Sequence, residues 1–346
     1  MKAYQLHGIN DLRFVETDKP KLKKGYVLLE VKAAGICGSD IPRIFETGTY
    51  HFPTVPGHEF AGIVREVFDK EDERFIGKRV GVFPLIPCKE CDSCLQENYE
   101  TCSHYNYLGS RTDGGFAEYV LVPTWNLIEL PNEVSFEEAA MLEPIAVSLH
   151  AMKQIDWSNR ESAVIYGVGP IGMMAAQWLR SFGIKQILLV GNKPEQIKLA
   201  NAIGFTDVCN CKEQDALQWI KEQTGGNGVD VAVEGVGTSE CLTQCLESVK
   251  AKGSILTLAN PKGDMNLDKQ AYWKILRKQL TVCGTWNSRF GTSTDDNWKE
   301  AVAALSSNQI SAAPLITHKL SFEELPTGLA IMKDKKEFYC KVMITR

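Results

Sequence analysis

Four cysteines stand close together at Cys88, Cys91, Cys94 and Cys102, with two, two and seven residues between them. Four thiolates on one short segment suit a tetrahedral zinc ion. With every position filled by protein, such a site is closed and therefore structural. Pro84 and Pro87 precede the run, as expected of a loop. The alternatives are four unrelated thiols or an iron–sulfur cluster, and no second cysteine cluster speaks for electron transfer. A second set is dispersed. Cys37 lies in Gly35-Ile36-Cys37-Gly38-Ser39-Asp40, and His58 and Glu59 lie in Pro56-Gly57-His58-Glu59. Alone, Cys37 reads as a small buried residue and His58 as a satisfied core histidine. Together they supply a thiolate, an imidazole and a carboxylate, the donor set of a metal that keeps one position open for substrate or water. Glu143, an acid inside the apolar run Leu142-Glu143-Pro144, is a further candidate.

The third constellation is the glycine-rich run Gly167-Val168-Gly169-Pro170-Ile171-Gly172. It follows an apolar strand-like run and opens a helical pattern, the context in which such a turn cradles a dinucleotide pyrophosphate at a helix N-terminus. The alternative for this pattern is a plain strand–helix turn. An NAD-binding chain places an acid about 20 residues further on, at the end of the second strand, to hold the ribose 2′-hydroxyl. Here that place reads Val190-Gly191-Asn192-Lys193-Pro194. Gly191 leaves room, Asn192 offers a donor and Lys193 offers positive charge to a 2′-phosphate. The reading favours NADP over NAD, against a solvated turn with loose cofactor choice.

Elements must hold these groups in place. Short apolar runs at 26–33, 62–67, 79–84 and 116–122, bounded by Gly, Pro and Lys, predict strands, and helical spacing appears at 135–149. From residue 162 the texture changes. Strands are predicted at 162–166, 186–190, 207–210, 229–234, 254–258 and 280–284, with helices at 171–182, 195–203, 212–223 and 239–250 between them. This alternation implies βαβ units and a parallel sheet. It stops after residue 285, where one helix at 295–306 precedes a mixed tail expected to rejoin the first part of the chain. The 346 residues suit about two domains. The net charge of −5 offers no basic excess for a nucleic-acid backbone. The uncharged stretch 162–179 is broken by glycines and Pro170, so no membrane span is expected. The first 13 residues hold Lys2, Asp11 and Arg13 and no apolar run, so a secretory leader is not expected and a cytoplasmic protein is. In that compartment, clustered cysteines mean metal or catalysis more often than disulfides.

The motifs resemble those of the zinc-dependent medium-chain dehydrogenase/reductase family, specifically its polyol dehydrogenase branch. The resemblance covers essentially the whole chain. It rests on residues 35–40, Gly57-His58-Glu59, the four-cysteine run, Asp113-Gly114-Gly115-Phe116-Ala117-Glu118-Tyr119, Glu143-Pro144 and 167–172. The runs 37–45, 109–116 and Lys274-Ile275-Leu276-Arg277-Lys278 resemble the part of that branch acting on polyol phosphates of the galactitol 1-phosphate type. The resemblance implies an α/β chain: a GroES-like, β-rich catalytic domain from 1–148 and 290–346, and a Rossmann doubly wound parallel-sheet domain from 149–289. It implies catalytic zinc ligands at Cys37, His58 and Glu143, with Glu59 a ligand or beside the metal. It matches Cys88, Cys91, Cys94 and Cys102 to a structural zinc lobe. Ser39 matches the hydroxyl that takes the substrate proton, and Gly167, Gly169 and Gly172 match the cofactor turn, with Pro170 and Ile171 between them. The implied reaction is reversible hydride transfer between NAD(P) and a secondary hydroxyl of a polyol or polyol phosphate, in a homodimer or homotetramer.

Two departures stand out. Pro42 occupies the position where many relatives carry a proton-relay histidine, and Gly191 the position where the polyol-phosphate branch generally carries an acid. If the substrate is phosphorylated, Arg43, Arg111, Lys274 and Arg277 are the candidate anchors, because guanidinium and ammonium groups grip phosphate. The competing readings are a zinc alcohol, threonine or sugar-acid dehydrogenase on the same scaffold, or a non-catalytic nucleotide-binding redox sensor. A sensor needs no open metal site, which weighs against the last.

Overall fold

The computed structural model describes residues 1–346. The chain divides into two compact units, Met1–Ala146 with Arg289–Arg346, and Val147–Ser288.

The first unit is built on a seven-stranded sheet. Its order is Ile316–Ser321, Lys341–Thr345, Tyr26–Ile36, Glu59–Val67, Arg79–Val82 and Leu127–Glu129, with Tyr119–Pro123 pairing the first half of Tyr26–Ile36. Tyr26–Ile36 is central, and most of its residues are buried. Its antiparallel register sets Gly35 opposite Glu59 on one side and opposite Met343 on the other. Three strand ends therefore meet: Cys37 follows the first, His58 precedes the second, and Lys341 begins the third. Gly35 is required there, since a Cβ would stand 2.4 Å from the Glu59 carboxylate. Val27, Leu29, Val31, Val64, Val80, Val120 and Val122 form the core beneath, sealed by Phe322, Leu325 and Leu329 from the tail.

Several boundaries differ from the sequence pattern for local reasons. The strand expected at 116–122 starts at Tyr119, because the backbone N–H groups of Gly114, Gly115 and Phe116 donate to carbonyls of residues 55–57 instead. The single helix expected at 135–149 is two, Phe136–Ala140 and Leu142–Lys153. Pro144 has no N–H to continue the first, so the chain restarts after Met141 with the proline in the new first turn. The helix expected from 212 starts at Ala216, where Asp215 caps the Gln218 N–H.

The second unit is a six-stranded sheet in the order Val208–Asn210, Gln186–Gly191, Ser162–Tyr166, Val229–Glu234, Val249–Thr257 and Thr281–Gly284, every neighbouring pair parallel. Val229–Glu234 is buried throughout, as a strand covered on both faces must be. The strand order reverses beside Ser162–Tyr166, the switch point where doubly wound sheets take ligands. This is the Rossmann arrangement. Gly167 has φ +97°, and a Cβ on Gly172 would lie 2.0 Å from the Gly167 carbonyl oxygen. The strand–turn–helix approach exists only because residue 172 has no side chain. Gly172→Ala is expected to lower unfolding free energy by about 1–3 kcal/mol in urea titrations.

Candidate active site

Cys37, His58 and Glu59 place a sulfur, a ring nitrogen and a carboxylate oxygen within 4.8 Å of one another. His58 and Glu59 are buried and Cys37 is half-buried. The convergence of thiolate, imidazole and carboxylate fits a zinc ion with three protein ligands. Glu143 lies outside this set. It sits in the first turn of Leu142–Lys153, and its Oε1 accepts the Tyr107 hydroxyl at 3.3 Å. Burial pushes its carboxyl up to about 7, with the negative charge of Glu59 adding to that. Ser39 is two residues from Cys37, and its side chain makes no capping bond to the short helix Asp40–Pro42 that it precedes.

Two further residues organise the site beyond those that the sequence motifs predict. Asp40 is fully buried. Its Oδ2 accepts the Cys37 N–H at 2.9 Å, and its Oδ1 lies 3.3 Å from His58 Nδ1 and accepts Arg43 Nη1 at 2.8 Å. Burial opposes its charge, but His58, Arg43 and the Cys37 N–H hold its carboxyl below the usual range. With Nδ1 engaged, Nε2 of His58 is left for a metal. The second residue is Lys341, 4% exposed, whose Nζ donates to Glu59 Oε2 at 2.5 Å and to the Ile36 carbonyl at 3.4 Å. The signals were present: an acid three residues after the cysteine, and one lysine inside the apolar strand Lys341–Thr345.

The four-cysteine run folds into a compact thiol cluster. Sulfur–sulfur distances are 3.9 Å for Cys88–Cys94, 3.9 Å for Cys91–Cys102 and 3.5 Å for Cys88–Cys102. Ligands about 2.3 Å from a tetrahedral centre stand about 3.8 Å apart, so these sulfurs fit one zinc. Backbone N–H groups of Cys94 and Ser103 draw the Cys91 thiol down to about 5, favouring thiolate.

In the second unit a pocket of about 560 Å³ opens beside the glycine turn. Of the expected cofactor residues, Gly167, Gly169, Gly191 and Asn192 line it, while Pro170, Ile171, Gly172 and Lys193 do not. Gly169 precedes the helix Pro170–Ser181, and a Cβ there would meet nothing within 4 Å, which leaves an open face at a helix N-terminus suited to a pyrophosphate. Lys262, outside the motifs, also lines the wall.

Residues 23–132 match the family model of the alcohol dehydrogenase GroES-like domain, and residues 170–307 match that of zinc-binding dehydrogenases. Galactitol 1-phosphate 5-dehydrogenase of Escherichia coli strain K12 is 32% identical over 315 residues, covering 90% of each chain. The chain belongs to the zinc-dependent medium-chain dehydrogenase family. The crystal structure of the E. coli galactitol-1-phosphate dehydrogenase superposes with TM-score 0.92 at 30% identity, covering all of both chains. A zinc-binding dehydrogenase of Sinorhizobium meliloti 1021, solved bound to NADP, superposes with TM-score 0.91 at 26% identity, covering 100% of this chain and 99% of that one. The chain is thus an oxidoreductase of this family.

Within this dehydrogenase the four candidate phosphate anchors all have protein partners. Arg43 binds Asp40 on the Nδ1 edge of His58. Arg111 lies between the rings of Tyr50 and Tyr105, 4.1 and 4.3 Å from their centroids. Lys274 pairs with Glu247 at 2.6 Å, and Arg277 stacks on Trp273. Arg43 is therefore placed to hold Asp40, and through it His58. Asp40→Ala is expected to weaken zinc at the Cys37 cluster about 10–100-fold, read by chelator competition, with the four-cysteine site unaffected.

Proposed function

We propose that this chain oxidises a secondary hydroxyl of a polyol or polyol phosphate to the ketose, reversibly, with NADP as the preferred acceptor and galactitol 1-phosphate as the leading substrate. The observation that carries this reading is the Cys37–His58–Glu59 cluster, two residues from the uncapped Ser39 hydroxyl. Cys37, His58 and Glu59 would hold a catalytic zinc, with Glu143 beside it, and Cys88, Cys91, Cys94 and Cys102 a second, structural one. When bound, zinc supplies Lewis-acid polarisation of the substrate hydroxyl and the nicotinamide accepts the hydride. The chain's own residues do the rest. Ser39 Oγ takes the hydroxyl proton. Asp40 fixes the His58 tautomer through Nδ1, and Lys341 orients Glu59 and offsets its buried charge. Because residue 42 is proline, the proton leaves Ser39 by water or by a carboxylate rather than by a histidine relay.

The NADP reading is supported by the missing acid at Gly191 and by the donor Asn192 in the pocket wall, with the cation Lys193 next along the chain but outside that wall. A homodimer or homotetramer is supported by the edge strand Thr281–Gly284, which carries exposed Val282, with exposed Trp286 just beyond it. No helix is long and apolar enough to cross a membrane. Cysteines grouped as metal donors suit a reducing, cytoplasmic setting.

Cys37→Ser is expected to reduce zinc from two ions per chain to one and to cut turnover by several orders of magnitude, with circular dichroism unchanged. Retained turnover would remove the assignment. A panel of polyols and polyol phosphates, each assayed with NAD and NADP, is expected to show galactitol 1-phosphate exceeding galactitol by roughly 100-fold in kcat/KM, the size of a charge-assisted phosphate contact. Equal values would make the free polyol the substrate, and turnover of L-threonine instead would move the chain to another branch.

A further inference from the structure

Gly191 ends the strand Gln186–Gly191 and is buried. A Cβ at this position would stand 2.5 Å from Val168 Cγ2 and 3.1 Å from Gln196 Oε1. Val168 is the second residue of the glycine turn, 1% exposed, and it lines the same pocket as Gly191. It stands between Gly167, at φ +97°, and Gly169, and its β-branched side chain has few rotamers to escape into. Gln196 is also committed, since its Oε1 accepts the Asn192 N–H at 3.1 Å and holds the turn after the strand. The only carboxylate in the pocket wall, Glu240, lies in the first turn of a different helix, Ser239–Ser248.

The acid that grips a ribose 2′-hydroxyl in NAD-binding sheets sits at the end of the second strand. In this chain that place is not merely lacking an acid. It is filled. We infer that Val168 is a specificity-determining residue for the dinucleotide: its side chain occupies the volume that a carboxylate-bearing residue at 191 needs, and so keeps the ribose end of the pocket free of negative charge. The inference rests on the NADP reading for its functional meaning, but its steric content stands on the packing alone. A change of preference toward NAD then requires two substitutions, one to clear the space and one to place the acid.

The test is a double-substitution cycle on the full-length protein, read by dinucleotide titration calorimetry and by thermal unfolding, without turnover. Gly191→Ala, which adds only the Cβ, is expected to lower Tm, and Val168→Ala in the same chain to restore most of the loss. Gly191→Asp alone is expected to weaken NAD and NADP each by at least about 10-fold, while the Val168→Ala/Gly191→Asp pair binds NAD more tightly than NADP. Two results would overturn the inference: a Tm unchanged in Gly191→Ala, or a Gly191→Asp chain that gains NAD affinity as fully as the pair does. Equal affinity of the unsubstituted protein for NAD and NADP would instead overturn the NADP reading, and the Tm cycle would still decide the steric coupling between 168 and 191.

Discussion

The antiparallel register of Tyr26–Ile36 against its two neighbours is the constraint on which the metal-binding cluster depends. Gly35 faces Glu59 on one side and Met343 on the other, so the donors at Cys37, His58 and Glu59 meet Lys341 at the same level of the sheet. A slip of one residue in either pairing would turn a donor to the opposite face, because side chains alternate along a strand. The small residue at 35 makes this register affordable by leaving room for the Glu59 carboxylate.

Buried charge follows from that geometry. Glu59 and Lys341 are 1% and 4% exposed, and Asp40 is fully enclosed. Burying an ion pair costs about as much as its attraction returns, so such groups rarely add stability. They persist here as paired sets with hydrogen bonds to spare: Glu59 with Lys341, and Asp40 with Arg43, His58 and the Cys37 backbone. The arrangement orients donors more than it stabilises the fold. The second unit reaches its function by other means, through glycines that let backbone approach backbone and a helix that starts where the sheet order reverses.

Legibility in the sequence tracked the separation of the partners. The parallel sheet was readable because each strand–helix unit carries its own period. The four-cysteine lobe and the glycine turn were readable because all their residues fall within one short segment. The break at Met141 was harder, since it turns on a single missing N–H at Pro144. Arg43, a candidate substrate anchor by its charge, binds Asp40, and no local pattern records which neighbour a long cation will choose.

By itself the sequence determined the chemistry on offer: two donor sets for metal, a dinucleotide turn and the alternation that builds a doubly wound sheet. These are local properties, written in spacing and residue type. Only the tertiary structure brought Glu59 together with Cys37 and His58, set the Tyr107 hydroxyl on Glu143, placed Lys341 against Glu59 across 282 positions of chain, and put Val168 Cγ2 2.5 Å from where a Cβ on residue 191 would stand. Each of those depends on register and packing between distant segments, which side-chain volume and strand pairing settle together once the chain has folded.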